Sequence, residues 1–307
     1  MSGQIFLRTY LAFDGQERSL QGHRAELSGH RGIRPTPVSA NTKLSSSVAT
    51  KKSRTLVEEI YRRHIRLYRE LNDLHIFASR TSPLLKAAAE GHKGEFIDPD
   101  EDIAISVPGK YGRPGIAKRN STELSALLKR FANEELFANL LVTAVSRFEF
   151  YLADVLGEYL RRSPEKLLRG PKGGDSARPV PLQSVLEAGT LTELYDELIE
   201  QRIQAIFYAE PREYSAYFNA ISEIGLTEAD FEQFFEVKAT RDLVVHNSLV
   251  VNELYKKKAG ALSRGDIGDR LKVKKDYFEG ALSALKAMSS TIEKLTRKKH
   301  GKDWEQD

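Results

Sequence analysis

Leu56, Val57, Ile60, Tyr61, Ile65, Tyr68, Leu71 and Leu74 recur at intervals of three and four residues, with Arg and Glu between them. That rhythm puts the apolar side chains on one face of a helix and predicts one over about residues 53–79. A second, short helix is expected from Pro83 to Glu90, making 53–92 an amphipathic helical segment. Ahead of it, residues 1–52 mix Gly, Ser and Arg with Pro35 and Pro37 and hold no sustained period, the pattern of a basic, disordered arm. From Gly91 to Asn120, Gly, Pro, Asp and Lys dominate, which predicts a loop or linker over 93–120, with Ile103–Val107 as a brief strand.

The main helical domain is expected over 121–300, with 301–307 a tail. Ser121 or Thr122 can cap its first helix. Phe137, Leu141, Ala144, Phe148, Tyr151, Val155 and Tyr159 then mark a long helix buried on more than one face, ending near Arg162 before Ser163-Pro164. A Gly- and Pro-rich loop comes next, from Arg169 to Pro181. Leu191–Tyr208 reads as a helix with Leu194, Leu198, Ile199, Ile203 and Ile206 on its apolar side, and Pro211–Ile224 as another, stopped by Gly225. Thr227 caps a helix running to about His246, and a last helix spans about Lys274–Lys298. No strand pattern of any length appears after residue 120, so the expected class is all-α.

Composition narrows the chemistry. With no cysteine, disulfides, thiol catalysis and cysteine-based zinc sites drop out. His64, His75 and His92 are too scattered for a metal site, and no phosphate-binding loop of the G-x-x-x-x-G-K-[ST] type occurs, so no cofactor and no metal is expected. No run of 18 apolar residues suggests a membrane span, and Met1–Leu11 lacks the order of a secretory signal, which makes a cytoplasmic protein the default expectation. The net charge of +4 hides a polarity along the chain. Residues 1–54 hold nine basic against three acidic side chains, and residues 255–302 fourteen against five. Clustered positive charge suits a polyanion such as RNA, with Lys256, Lys257 and Lys258 as candidate contacts; equally, such runs can be solvated helix ends.

The candidate chemistry sits in Arg241-Asp242-Leu243-Val244-Val245-His246-Asn247. Histidine moves protons near neutral pH, and arginine can hold the charge that builds on a phosphate. An Arg followed by His after four to six residues also occurs at Arg18–His23, Arg24–His30 and Arg69–His75. Context separates the Arg241 copy: it closes a hydrophobic helix, with a polar residue directly after the Arg and Asn directly after the His. Asp242 and His246, four apart, share a helix face, and Asp242 is expected to orient the imidazole. Arg241 and His246 diverge by about 140° around the helix, so one copy grips a phosphate poorly and two copies meeting at a dyad would do better. Glu149, close to Arg147, reads as a helix ion-pair partner, and Tyr151 and Tyr159 as core aromatics.

The run R-D-L-V-V-H-N, followed by S-L-V-V-N-E-L-Y-K-K-K-A-G, resembles the signature of the HEPN superfamily, and S-R-F-E-F-Y-L-A-D-V-L at 146–156 resembles a core helix of that family. The resemblance covers about residues 121–300. It implies a HEPN-like helical bundle that dimerises through its motif helices and a metal-independent endoribonuclease acting as a toxin or in antiphage defence. Carried over by position, His246 would be the acid or base acting on the ribose 2′-hydroxyl, Arg241 would hold the scissile phosphate, and Asp242 and Asn247 would support them. The products would be a 2′,3′-cyclic phosphate and a 5′-hydroxyl. Partners would be RNA, a second copy of the chain, and an antitoxin or defence-system protein. Some members carry, two residues after the His, a Tyr that a partner enzyme modifies; here that position is Ser248. The alternative is a non-catalytic HEPN-like binding or dimerisation module.

Overall fold

A computed structural model of the chain describes residues 54–91, 101–170, 180 and 182–301. The expectations for the arm (1–52), for most of the loop at 169–181 and for the tail beyond Gly301 lie outside them. The described part is predominantly helical. Its elements are α1 (Leu56–Gly91), a hairpin of β1 (Ile103–Pro108) and β2 (Pro114–Arg119), α2 (Ser121–Arg130), α3 (Leu136–Arg162), α4 (Leu182–Glu187), α5 (Leu191–Phe207), α6 (Pro211–Ser222), α7 (Glu228–His246), α8 (Glu253–Ala259) and α9 (Lys275–His300).

Three expectations change here. The two N-terminal helices are a single one, because α1 runs straight through Pro83. An interior proline forfeits a backbone hydrogen bond and costs about 3 kcal/mol. Burial of Ala78 and Ala89, and donation of the Ser82 hydroxyl to Ala132 O at 2.9 Å, hold the helix together on both sides of it. Nor does α1 form a segment of its own. Ile60, Leu67, Leu71 and Ala78 belong to the same core as the helices after residue 120, packing on α3 and α9. In the linker expected at 93–120 the brief strand expected at Ile103–Val107 is present as β1, but it has an unforeseen partner, β2, in an antiparallel hairpin pairing Ile103 with Arg119 through Pro108 with Pro114. Ile103, Ile105 and Val107 turn to its half-buried face, while the strand partner, rich in Gly, Pro and Lys, carries no alternating signal.

The centre of the core is α3, which packs on α1, α5, α6, α7 and α9. Its three-four rhythm translates directly: Phe137, Leu141, Ala144, Phe148, Tyr151, Val155 and Tyr159 are all buried. It continues α2 through a wide, π-type turn at Phe131–Glu135, and α2 is capped by Asn120, whose side chain accepts from Glu123 N at 2.9 Å, rather than by Ser121 or Thr122. The joint stretch Ser121–Arg162 contains an 18-residue window of mean hydropathy 1.3, half of it buried, and is the one helix among the described residues with the length and composition to cross a membrane. A helix enclosed on several faces reaches that hydropathy without an unbroken apolar run, which is why the absence of such a run does not exclude it.

The element that matters most is α7. Thr227 N donates to Asp230 Oδ2 at 2.7 Å and starts it. Phe231, Phe234 and Phe235 then enter an aromatic cluster with Tyr214 and Phe218 of α6 and Phe148 of α3. Such rings anchor the first half of α7 and fix the direction of its C-terminal end.

Candidate functional site

The last two turns of α7 carry the Arg–His motif. Arg241 turns back toward α3, where its Nη2 donates to Glu149 Oε2 at 2.6 Å. Lys238, one turn earlier on the same face, also bonds Glu149. The arginine side chain is 17% exposed and the glutamate 18%, so this pair is shielded but lies at the edge of the core. Arg241 Nε is 3.4 Å from Asp242 Oδ1, an ionic contact without hydrogen-bond geometry, and has no hydrogen-bond partner among the described residues. Glu149 is thus an ion-pair residue, but its partners come from α7; Arg147 instead lies 3.9 Å from Glu70. The sequence clue to Glu149 is a carboxylate set between Phe148 and Phe150 in the most apolar of the long helices among the described residues.

His246 is the final residue of α7 and is exposed. Among the described residues it makes no side-chain hydrogen bond or ion pair. The expected Asp242–His246 contact is absent: Asp242 Oδ2 accepts from Lys258 Nζ of α8 at 3.3 Å, and Oδ1 faces Arg241. Sharing a helix face allows a pair at four residues' spacing but does not compel it, and here two cations compete for the carboxylate. Arg241 and His246 are likewise not brought together within one chain, since they leave the helix in different directions.

Asn247 ends the helix. Its backbone N–H donates to Leu243 O at 3.0 Å and its Nδ2 to Val250 O at 2.6 Å. The chain then reverses through two non-glycine residues with left-handed backbone, Ser248 at φ 49° and Leu249 at φ 65°. Each costs roughly 1–2 kcal/mol. The reversal is held by Leu249 N to Leu243 O and by Leu271 N to Leu249 O, both 2.9 Å, and by packing of the Leu249 side chain. It directs Val250 and Val251 alongside residues 268–271, where Val250 bridges Arg270.

The three candidate RNA contacts on α8 are engaged within the protein. Lys256 Nζ donates to Gly265 O at 2.7 Å, Lys257 lies 3.1 Å from Glu210, and Lys258 bonds Asp242. Lys257 retains the most exposure, 65%.

One turn before the motif is a buried polar network that no sequence motif announces. Glu236 receives Thr240 Oγ1 at 2.8 Å, Tyr277 OH at 2.8 Å, Arg264 Nε at 3.0 Å and Tyr255 OH at 3.2 Å. Arg264 Nη2 also donates to Thr240 Oγ1 at 2.9 Å, and the guanidinium stacks 3.6 Å from the centre of the Tyr277 ring. Burial, reinforced by the Glu236 carboxylate, pushes the Tyr277 hydroxyl far above the usual tyrosine range, so it remains a donor. The network ties α7, α8, α9 and the turn at 260–271 together beneath the motif. Its sequence trace is a lone glutamate in the apolar run Phe234-Phe235-Glu236-Val237.

Comparison with known proteins finds no match for this chain among family models, curated proteins or solved structures.

Proposed function

We propose that the chain is a metal-independent endoribonuclease of the HEPN type, cleaving RNA by attack of a 2′-hydroxyl and serving as a toxin or antiphage effector. The observation that carries this reading is the arrangement at the end of α7. There an exposed histidine, without a side-chain partner among the described residues, stands about one and a half turns beyond an arginine whose orientation is set by Glu149. His246 is the group that takes or gives the proton of the ribose hydroxyl, and the Arg241 guanidinium stabilises charge on the phosphate. Because the two diverge around α7, the reading includes a symmetric homodimer in which two motif helices build one cleft. Asn247 serves by ending α7 at the histidine, and Asp242 serves by holding Lys258 and Arg241 rather than the imidazole.

A non-catalytic binding module of the same kind is the second reading. What favours it is the engagement of Arg241 with both Glu149 and Asp242, an arrangement that also suits a purely structural arginine.

Incubating the purified chain with total RNA in the presence of a chelator separates the two. Fragments ending in 2′,3′-cyclic phosphate and 5′-hydroxyl support the nuclease; RNA that stays intact at high protein concentration leaves the binding module.

A further inference from the structure

The surplus of positive charge after the motif does not reside in the lysine triplet alone. Lys256 and Lys258 donate to Gly265 O and Asp242, and only Lys257, 65% exposed beside Glu210, holds a pair as exposed as those considered next. The segment from Arg270 to Lys275 is different. Its burial alternates, with Leu271 and Val273 inside and Arg270, Lys272 and Lys274 outside, followed by exposed Lys275 at the start of α9. Lys274 has extended backbone, φ −91° and ψ 174°. Extended chain sets alternate side chains about 6.6–6.8 Å apart on one face, a spacing of the same order as that between successive phosphates of a nucleic-acid strand.

These cations are little used by the protein. Arg270 and Lys274 form no ion pair or side-chain hydrogen bond among the described residues. Lys272 reaches Glu134 at 3.6 Å and Lys275 reaches Glu279 at 3.8 Å, with both lysine side chains 61% exposed. Exposed pairs of that length contribute little and are easily exchanged for another anion. The neighbouring carboxylates are Asp266, Asp269 and Asp276; Asp269 is partly committed, since its Oδ2 accepts from Asp266 N at 2.8 Å. The strip is also anchored to the motif. Leu271 N donates to Leu249 O and Val251 N to Asp269 O, at 2.9 and 2.8 Å, joining it to the loop that begins directly after Asn247.

We propose that Arg270, Lys272 and Lys274 form a phosphate-tracking strip that receives single-stranded RNA and leads it to the end of α7. The proposal deepens the ribonuclease reading and rests on it for the identity of the polyanion. An extended row of cations favours a flexible strand over a duplex, because a single strand can bring successive phosphates to one straight edge.

The test is a binding titration on the His246→Ala background, where cleavage cannot confuse the reading, using fluorescein-labelled polyuridine and, separately, labelled polyglutamate. Combining Arg270→Gln, Lys272→Gln and Lys274→Gln should make the slope of log affinity against log salt shallower by about 2 for polyuridine, as expected for three lost phosphate contacts on a single strand. Replacing Lys256, Lys257 and Lys258 by Gln should change that slope by less than about 1. All three strip residues are exposed, so circular dichroism should be unaltered. An unchanged slope overturns the proposal. An equal loss for polyglutamate overturns it too, because the strip would then be a general anion surface suited to an acidic protein. Strip-dependent polyuridine binding by a wild-type chain that leaves RNA intact would instead remove the nuclease and retain the strip.

Discussion

Two polar clusters occupy adjacent turns of α7 and differ in what can reach them. Around Glu236, one carboxylate meets an arginine, two tyrosines and a threonine in a site where the glutamate side chain is 8% exposed. Each donor has an acceptor, and the network joins elements distant in sequence. Around Arg241, the ion pairs to Glu149 and Asp242 are shielded only partly, and His246 beyond them faces outward. The first cluster has the properties of a fastener: its carboxylate is buried and accepts four hydrogen bonds, while Arg264 closes it from an outer edge that is 30% exposed. The second is the arrangement on which the proposed ribonuclease reading rests, with a cation held in a defined place and an exposed ring that has no side-chain partner among the described residues. From Glu236 to His246 the helix therefore passes, within ten residues, from a buried carboxylate with four donors to an exposed ring.

The strongest test of that contrast is His246→Ala. It should lower RNA cleavage by about 10²–10⁴-fold, the usual loss of acid–base help. Its free energy of unfolding in urea should stay within about 0.5 kcal/mol of wild type, because an exposed ring with no side-chain partner among the described residues holds nothing in place. Arg241→Lys should recover part of the activity lost in Arg241→Ala, the charge surviving without the planar fork. Wild-type cleavage by His246→Ala would erase the distinction between the clusters.

Glu236→Ala should show the reverse profile. It removes the shared acceptor of Arg264 and two tyrosine hydroxyls, leaves the 30%-exposed guanidinium its bond to Thr240, and should destabilise the chain by about 2 kcal/mol in urea unfolding. A loss below about 1 kcal/mol would mean that water enters the network and that it is no fastener.

Smaller substitutions sharpen the point that satisfaction, not polarity, decides. Tyr277→Phe removes a donor to a charged acceptor and should cost about 1.5 kcal/mol. Tyr214→Phe removes a buried hydroxyl with no hydrogen-bond partner among the described residues, and should be neutral or stabilising. Equal losses for the two would contradict the difference drawn between them.

The smallest effect concerns pH and a third carboxylate, Glu59 on α1. Burial raises its pKa, but hydrogen bonds from Arg62, Arg54 and Arg63 outweigh that and lower it from 4.5 to about 2. A carboxylate whose folded value is depressed adds stability that is fully present above about pH 4.5 and is lost as pH falls through about 2. Arg54 and Arg62 are half in water, which screens the pairs and keeps the contribution to about 1 kcal/mol. Glu59→Gln should therefore be less stable than wild type at pH 5, with the gap narrowing as pH approaches 3. A gap that stays constant over that range would assign the loss to packing rather than charge.

Helical class, the long core helix α3 and the extent of α7 were all legible in the chain itself. Three-four spacing and capping residues are local properties, and local sequence states them directly. The candidate Arg241–His246 pair was legible for the same reason, as residues at a fixed spacing before a helix stop. What the chain alone did not reveal is every pairing across elements. Glu149 belongs with Arg241 and Lys238 because α3 and α7 pack side by side, and Asp242 belongs with Lys258 because α8 folds back after the left-handed turn at Ser248 and Leu249. The packing of α1 into the core, its continuity across Pro83, the Glu236 network and the outward cations of 270–274 have the same origin. A charged side chain has many suitable partners along a sequence, and proximity selects among them only once the backbone has brought distant segments together.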